Sequence, residues 1–113
     1  MFHTSTHTRV ALAAAALFAV AACSKDDSIL IGEVGSMTGP EATFGQSTHK
    51  GILLALDHAN AKGGVKNRKL RVKTIDDQGK PEEAASAMTA LISRDKVVAV
   101  IGEVASTRSL AMA

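Results

Sequence analysis

Three short segments typical of β-strands alternate with two helical segments, and this order constrains the fold of the chain more than any other feature. The strand segments are SILIGEV at 28–34, KLRVKTI at 69–75 and VVAVI at 97–101. Helical periodicity runs from about Phe44 to Lys62 and again from Pro81. Because strands that alternate with helices form parallel sheets with right-handed crossovers, the sequence predicts an α/β fold with a three-stranded βαβαβ sheet. A loop that enters a third helix is predicted over 105–113.

The helical segments have apolar stripes and clear end signals. In the first helix the stripe is Thr48, Ile52, Leu56 and Ala59, widened by Leu53 and Ala55, and in the second it is Ala84, Met88, Leu91 and Ile92. The pair Gly63-Gly64 is predicted to end the first helix, because glycine tolerates the left-handed conformation found there. Pro81 suits the first position of the second helix.

The strand segments differ in their predicted burial. Lys69 to Ile75 alternates apolar and basic residues, which is typical of a strand near a sheet edge. Val97 to Ile101 is apolar throughout, as expected of a fully buried parallel strand. Since nothing follows Ala113 to cover the rest of the sheet, we expect the front part of a larger α/β domain.

The N-terminal residues have the features of an export signal. Val10 to Ala22 is apolar over 13 residues, well below the roughly 20 that a membrane-spanning helix needs. Val20-Ala21-Ala22-Cys23 resembles the lipobox of bacterial lipoproteins, in which the cysteine is lipidated after cleavage. We therefore predict a signal peptide at 1–22, a lipidated tether at 23–28 and a partial lobe at 29–113. The alternatives are a buried alanine-rich helix and, for the lone Cys23, a free buried thiol.

Charge is balanced after the predicted signal. From Cys23 onward there are 12 Lys and Arg residues against 11 Asp and Glu residues. This balance implies neither a large basic surface nor an acidic tail, so a nucleic-acid partner is not expected. The 91 residues are enough for one small domain only.

Four motifs in order carry a family resemblance. They are GSMTGP with ATFG at 35–45, ANAKGGV at 59–65, DDQGKP at 76–81 and VIGEVAS at 100–106. From about Ile29 onward the chain resembles the substrate-binding proteins of branched-chain amino acid ABC transporters, the leucine-binding group of type I periplasmic binding proteins. The resemblance implies two α/β lobes that close on a ligand, of which this chain would supply the first part of the first lobe.

A ligand site is expected at the carboxyl ends of the strands, independently of the resemblance. If the first and third strands are neighbours, the switch point of the sheet lies between the loops at 36–44 and 103–108. The second loop leads into a helix, whose N-terminus favours an anion such as a carboxylate.

The resemblance implies that Ser106 donates a hydrogen bond to the ligand carboxylate and that Phe44 lines the cleft, with Thr107 and Ser109 as further candidates. From the residues alone, Ser106 is equally well explained as a helix N-cap and Phe44 as core packing.

The other groups of polar residues and glycines in the sequence do not predict an active site. Asp76 and Asp77 are adjacent, so their side chains diverge, and turn formation or capping is expected of them. His49 and His58 are nine residues apart on a helix and are expected to be surface or boundary residues rather than metal ligands. The glycines of the first loop depart from the dinucleotide fingerprint. No catalytic residue, metal or cofactor is predicted.

These features together predict a lipid-anchored substrate-binding lipoprotein of an ABC importer, exposed to the periplasm. Its expected partners are a branched-chain or related small amino acid, an inner-membrane permease and, through the anchor, a membrane. The alternatives are a non-functional gene fragment and the ligand-sensing domain of a receptor with the same fold.

Overall fold

A computed structural model describes residues 26–113 and confirms the predicted alternation of strands and helices. Its elements are β1 (Ile29–Gly35), α1 (Ala42–Ala61), β2 (Leu70–Asp76), α2 (Pro81–Ser93), β3 (Val100–Ile101) and α3 (Ser106–Met112). The predicted signal peptide and the predicted lipidation at Cys23 lie outside the described residues. Among residues 26–113, no helix combines the length and apolar character required to cross a bilayer.

The sheet is parallel, with strand order β2-β1-β3. β1 pairs with β2 along its whole length, from Ile29 opposite Leu70 to Gly35 opposite Asp76. β2 therefore lies at an edge, as the alternation of its side chains predicted. Because β1 is central, the two right-handed crossovers place α1 and α2 on opposite faces of the sheet.

The third strand is shorter and more exposed than predicted. Only Val100–Ile101 forms a regular strand, although hydrogen bonds from Gly32 N to the Ala99 carbonyl and from Val98 N to the Leu30 carbonyl extend the pairing. Val98 is 71% exposed and Ile101 is 40% exposed. The prediction of a fully buried strand is wrong because β3 is an edge strand in the described residues, and no further element covers these side chains.

The apolar stripes of the helices are narrower than predicted. On α1, Ile52 and Leu56 are buried, whereas Leu53 and Ala55 are exposed and do not widen the stripe. On α2 the buried residues are Ala84, Ala87 and Leu91, and Ile92 is exposed. Since each helix packs over a sheet of only two or three strands, the outer positions of each stripe have no partner.

The main core lies between α2 and the sheet. Its buried members are Val34, Ala84, Ala87 and Leu91, with Ile75, Val97, Val100 and Met112 packed against them. Successive residues of β1 point to opposite faces, so Val34 faces this core while Glu33 faces α1.

A tight turn between α1 and β2 confirms the predicted end of the first helix. α1 ends at Ala61, Gly63 and Gly64 have φ values of 100° and 76°, and the Gly64 amide donates to the Ala59 carbonyl at 2.9 Å. A Cβ atom on Gly64 would lie 2.0 Å from the Arg68 carbonyl oxygen, so glycine is required at this position.

Candidate functional site

The loops that follow the three strands meet at one edge of the sheet, which we call the carboxyl edge. They are residues 36–41 after β1, 77–80 after β2 and 102–105 after β3, and each leads directly into a helix. Since β1 and β3 are neighbours, the first and third loops are adjacent, which is the arrangement that the expected site requires.

A buried polar cluster joins these three loops. The backbone N–H and hydroxyl of Ser36 both lie 3.2 Å from Glu103 Oε1 and donate to it, and the same hydroxyl lies 2.9 Å from Asp77 Oδ1. Asp77 Oδ1 also accepts from Gly79 N at 2.8 Å, and Glu103 Oε2 accepts from Ala105 N at 2.7 Å. One serine thus links the loops after β1, β2 and β3.

Arg108, on the first turns of α3, supplies the positive charge of this cluster. It is only 5% exposed, and its Nε lies 3.0 Å from Glu103 Oε2 and 3.8 Å from Asp77 Oδ2. Its Nη2 pairs with Glu41, at the start of α1. The guanidinium therefore contacts groups from all three loops and is used within the cluster.

The charges of the cluster support one another. Burial opposes ionisation of Glu103, but the hydrogen bond from Ala105 N and the ion pair with Arg108 outweigh burial, so the pKa of Glu103 is lowered. Burial likewise opposes the charge of Arg108, and the hydrogen bonds to Glu41 and Glu103 outweigh it, so the pKa of Arg108 is raised. The Glu103 carboxylate and the Arg108 guanidinium are therefore both charged at neutral pH.

Asp76 ties the loop after β1 to the end of β2. Burial is the largest single influence and raises the pKa of Asp76, but the hydroxyl of Thr38 and the N–H groups of Gln78, Thr38 and Met37 together outweigh it, so the pKa is lowered. The predicted turn-forming roles of Asp76 and Asp77 are confirmed, because each carboxylate accepts backbone N–H groups of a loop.

Phe44 lies in the first turn of α1 at the carboxyl edge and is 69% exposed. The alternative that it packs in the core is wrong. Its neighbour Gly45 is buried against the loop after β1, and a Cβ there would lie 2.1 Å from the Ser36 carbonyl oxygen. This close contact fixes the start of α1 and therefore the position of the Phe44 ring.

Ser106 and Thr107 are exposed at the start of α3. The N-cap is Ala105, so the alternative that Ser106 caps the helix is wrong. Within residues 26–113, neither hydroxyl and neither backbone N–H of this pair has a hydrogen-bond partner. Ser109 is different, because its hydroxyl donates to the Glu103 carbonyl at 2.6 Å and supports the loop.

A third buried carboxylate lies below this edge, on the α1 face of β1. Glu33 is 1% exposed; its Oε2 lies 2.6 Å from His49 Nδ1 and accepts from the Thr74 hydroxyl at 2.7 Å. His49 is half-buried and His58 is exposed, as predicted for boundary and surface residues. In the described part of the chain, no group of His, Cys, Asp and Glu side chains is placed to hold a metal ion.

Comparison with known protein families shows which family this chain belongs to. A family profile described as periplasmic binding protein matches residues 28–113. The chain belongs to the periplasmic binding protein family. The family assignment agrees with the parallel sheet and with the carboxyl-edge loops, and the resemblance seen in the sequence is confirmed.

Three similar proteins illustrate the family. The Leu/Ile/Val-binding protein homolog 3 of Brucella melitensis is 38% identical over 93 residues, which are 82% of this chain and 24% of that protein. The isoleucine complex of a branched-chain amino acid transporter substrate-binding protein from Streptococcus pneumoniae has a TM-score of 0.73 and 35% identity, covering 75% of this chain and 24% of that one. A fatty acid ABC transporter substrate-binding protein from Thermomonospora curvata has a TM-score of 0.69 and 28% identity, and the match covers 77% of this chain and 22% of that one.

This periplasmic binding protein chain spans about a quarter of the length of these relatives. The structure brings the predicted residues Phe44, Ser106 and Thr107 to one edge. The roles of Ser36, Glu103 and Arg108 beneath them were not predicted. Glu103 and Arg108 both follow the short apolar strand β3, and their partners in the other two loops are 29 to 67 residues away in the sequence.

Proposed function

We propose that this chain forms one wall of the ligand cleft of a substrate-binding protein of an ABC importer, and that the ligand is a branched-chain or related small amino acid. The observation that carries the proposal is the pair of adjacent loops at the carboxyl edge. One presents the exposed ring of Phe44. The other presents the exposed hydroxyls of Ser106 and Thr107.

The two kinds of group match the two ends of such a ligand. Unpartnered hydroxyl and N–H donors at the start of α3 suit a carboxylate, which accepts charge-assisted hydrogen bonds. The exposed aromatic ring of Phe44 offers an apolar surface for an aliphatic side chain. The buried cluster around Arg108 holds the two loops in register and does not itself contact the ligand. Binding and release are the whole activity in this proposal, with no chemistry performed on the ligand.

The proposed partners follow from the family. The ligand-bound protein docks on an inner-membrane permease, and acylation of Cys23 keeps the protein at the periplasmic surface of a membrane. Two or more acyl chains give stable anchoring, where one chain is marginal.

Calorimetry of the intact protein with a panel of amino acids tests the ligand. We expect Ser106→Ala to weaken binding of leucine or its relatives by about tenfold to a hundredfold, as loss of a charge-assisted hydrogen bond requires. The matched control is Ser47→Ala, because Ser47 is an exposed serine on α1. This variant should leave the affinity for the amino acid unchanged. Unchanged affinity in Ser106→Ala removes this residue from the site. Binding of a fatty acid in preference to every amino acid contradicts the proposed ligand class.

Metabolic labelling with a fatty-acid analogue tests the anchor separately. The wild-type protein should be labelled and Cys23→Ser should not. Equal labelling of both proteins contradicts lipidation at Cys23 without affecting the ligand proposal.

A further inference from the structure

The charged residues of the described chain are separated along the strand direction. Residues 26–113 contain eleven Lys and Arg residues and eleven Asp and Glu residues. We call the opposite end of the sheet, where strands begin and α1 and α2 end, the amino edge; it comprises residues 26–28, 62–71 and 94–97. It has a net charge of +4, and the remainder of the described chain has −4. Its cations are Lys62, Lys66, Arg68, Lys69, Arg71, Arg94 and Lys96, and its acids are Asp26, Asp27 and Asp95.

This local excess corrects the expectation from overall composition that no large basic surface exists. Part of the excess has a structural explanation, because cations at helix C-termini stabilise the helix dipole. That explanation covers Lys62, Arg94 and Lys96 only. The other four cations lie within six residues, in the turn closed by Val65 and Arg68 and at the start of β2. All seven cations are exposed.

Asp26 and Asp27 are held by basic side chains of the same edge. Arg68 Nε donates to the Asp27 carbonyl at 2.7 Å, and Arg71 pairs with Asp26. Ile29 N donates to the Lys69 carbonyl at 2.8 Å, which starts the β1–β2 ladder. Only two residues, Ser24 and Lys25, lie between Cys23 and Asp26, and an extended chain over these three steps spans about 10 Å.

We propose that the amino edge docks on a bilayer surface that contains anionic phospholipids. Attraction between basic residues and such a surface decays over about 8–10 Å, which matches the reach of the tether. A depression of about 310 Å³ opens on this edge; it is lined by Asp26, Asp27, Ser28, Asn67, Arg68 and Lys69.

Docking sets the direction in which the candidate ligand site faces. β1 has seven residues, so the carboxyl edge lies about 23 Å further from the bilayer than the amino edge. The cleft loops then face away from this bilayer, so the docked state is separate from the state bound to the permease. This orientation rests on the proposed acylation of Cys23, whereas the electrostatic attraction does not.

Vesicle sedimentation of the mature chain from Ser24 onward tests the surface without the anchor. We expect binding to vesicles of phosphatidylcholine and phosphatidylglycerol in equal parts, little binding to phosphatidylcholine alone, and release by salt. The double variant Lys62→Glu with Lys66→Glu, whose side chains have no partner within residues 26–113, should lose about tenfold or more in partitioning. The control is the double variant Lys50→Glu with Lys80→Glu, which changes the charge by the same amount away from this edge. Its partitioning onto the vesicles should fall by less than about twofold.

Three results overturn the proposal. Equal losses in both double variants show that only net charge matters. Binding that ignores both salt and phosphatidylglycerol shows an apolar contact instead. Tighter binding to duplex DNA than to the anionic vesicles identifies a nucleic-acid surface.

The lipidated chain in the same anionic vesicles tests the orientation. A membrane-impermeant amine reagent should modify Lys62 and Lys66 more slowly than Lys50 and Lys80, and detergent should remove the difference. Equal rates in the vesicles refute docking even where Cys23 is lipidated. Failure of lipidation with retained vesicle binding refutes the anchor alone.

Discussion

Replacement of Arg108 by methionine should destabilise the fold far more than replacement of an exposed arginine. Methionine keeps an unbranched apolar stem but removes the charge that faces Glu103 at 3.0 Å and Asp77 at 3.8 Å. Both carboxylates are fully buried, so neither regains hydration when its partner is lost. At an effective dielectric constant near 20, each of these attractions is on the order of 4–6 kcal/mol before desolvation is counted.

The expected net loss is about 3–5 kcal/mol in the free energy of unfolding, which is typical when one partner of a buried ion pair is removed. The contact with half-exposed Glu41 adds at most about 1 kcal/mol. Since a domain of this size has a total stability of about 5–15 kcal/mol, Arg108→Met should be close to unfolded under mild denaturing conditions.

Urea unfolding followed by circular dichroism at the helical minimum provides the measurement. Arg68→Met is the matched control, because Arg68 pairs with the exposed carboxylate of Asp27 at 3.2 Å. We expect a loss of at most about 1 kcal/mol in this control. A loss below about 1 kcal/mol in Arg108→Met would falsify the reasoning, since it would mean that Glu103 and Asp77 do not depend on the guanidinium.

Three further predictions concern stability. Gly45→Ala should lower the free energy of unfolding by at least about 1–3 kcal/mol, because the new Cβ would meet a backbone carbonyl. Gly51→Ala has open space around it and should raise the free energy of unfolding by roughly 0.5–1 kcal/mol. Thermal melting of the two variants tests this difference. His49→Ala should lower the free energy of unfolding by about 1–3 kcal/mol, because buried Glu33 would lose one of its hydrogen-bond partners. A urea unfolding midpoint equal to that of the wild type contradicts this prediction. Because the pKa of Glu103 is lowered in the folded state, its carboxylate should stabilise the fold above pH 4.5, and this contribution should disappear as pH falls through the folded-state pKa. In Glu103→Gln, the free energy of unfolding should lack this acid-dependent decrease.

The order of the elements was predictable from the sequence because each strand and helix is specified locally. The alternation of Arg71 and Lys73 with apolar residues predicted an edge strand, and Gly63-Gly64 predicted the end of α1. Burial was less predictable. Val98 and Ile101 are apolar, but burial depends on a neighbouring element, and the described residues provide none at that side of β3.

The candidate site was predictable only in part. The two loops were identified from the expected strand order, and Phe44 and Ser106 within them were proposed from the family resemblance, yet the cluster that holds those loops was not predicted. Ser36 and Glu103 are 67 residues apart and meet only because β3 pairs beside β1. No periodicity or spacing in one sequence encodes such a contact, since the order of strands in the sheet must be known first.

The central place of β1 in the sheet also determines the order in which the chain folds. β1 must wait for partners that start 41 residues later at Leu70 and 68 residues later at Val100. The difference in chain-closure entropy is only about 0.5 kcal/mol, so the number of paired positions matters more. Seven positions pair with β2 and two with β3. We therefore expect the β1–α1–β2 unit to form first and β3 with α3 to join last, so that the loops of the carboxyl edge become adjacent only in the final step of folding.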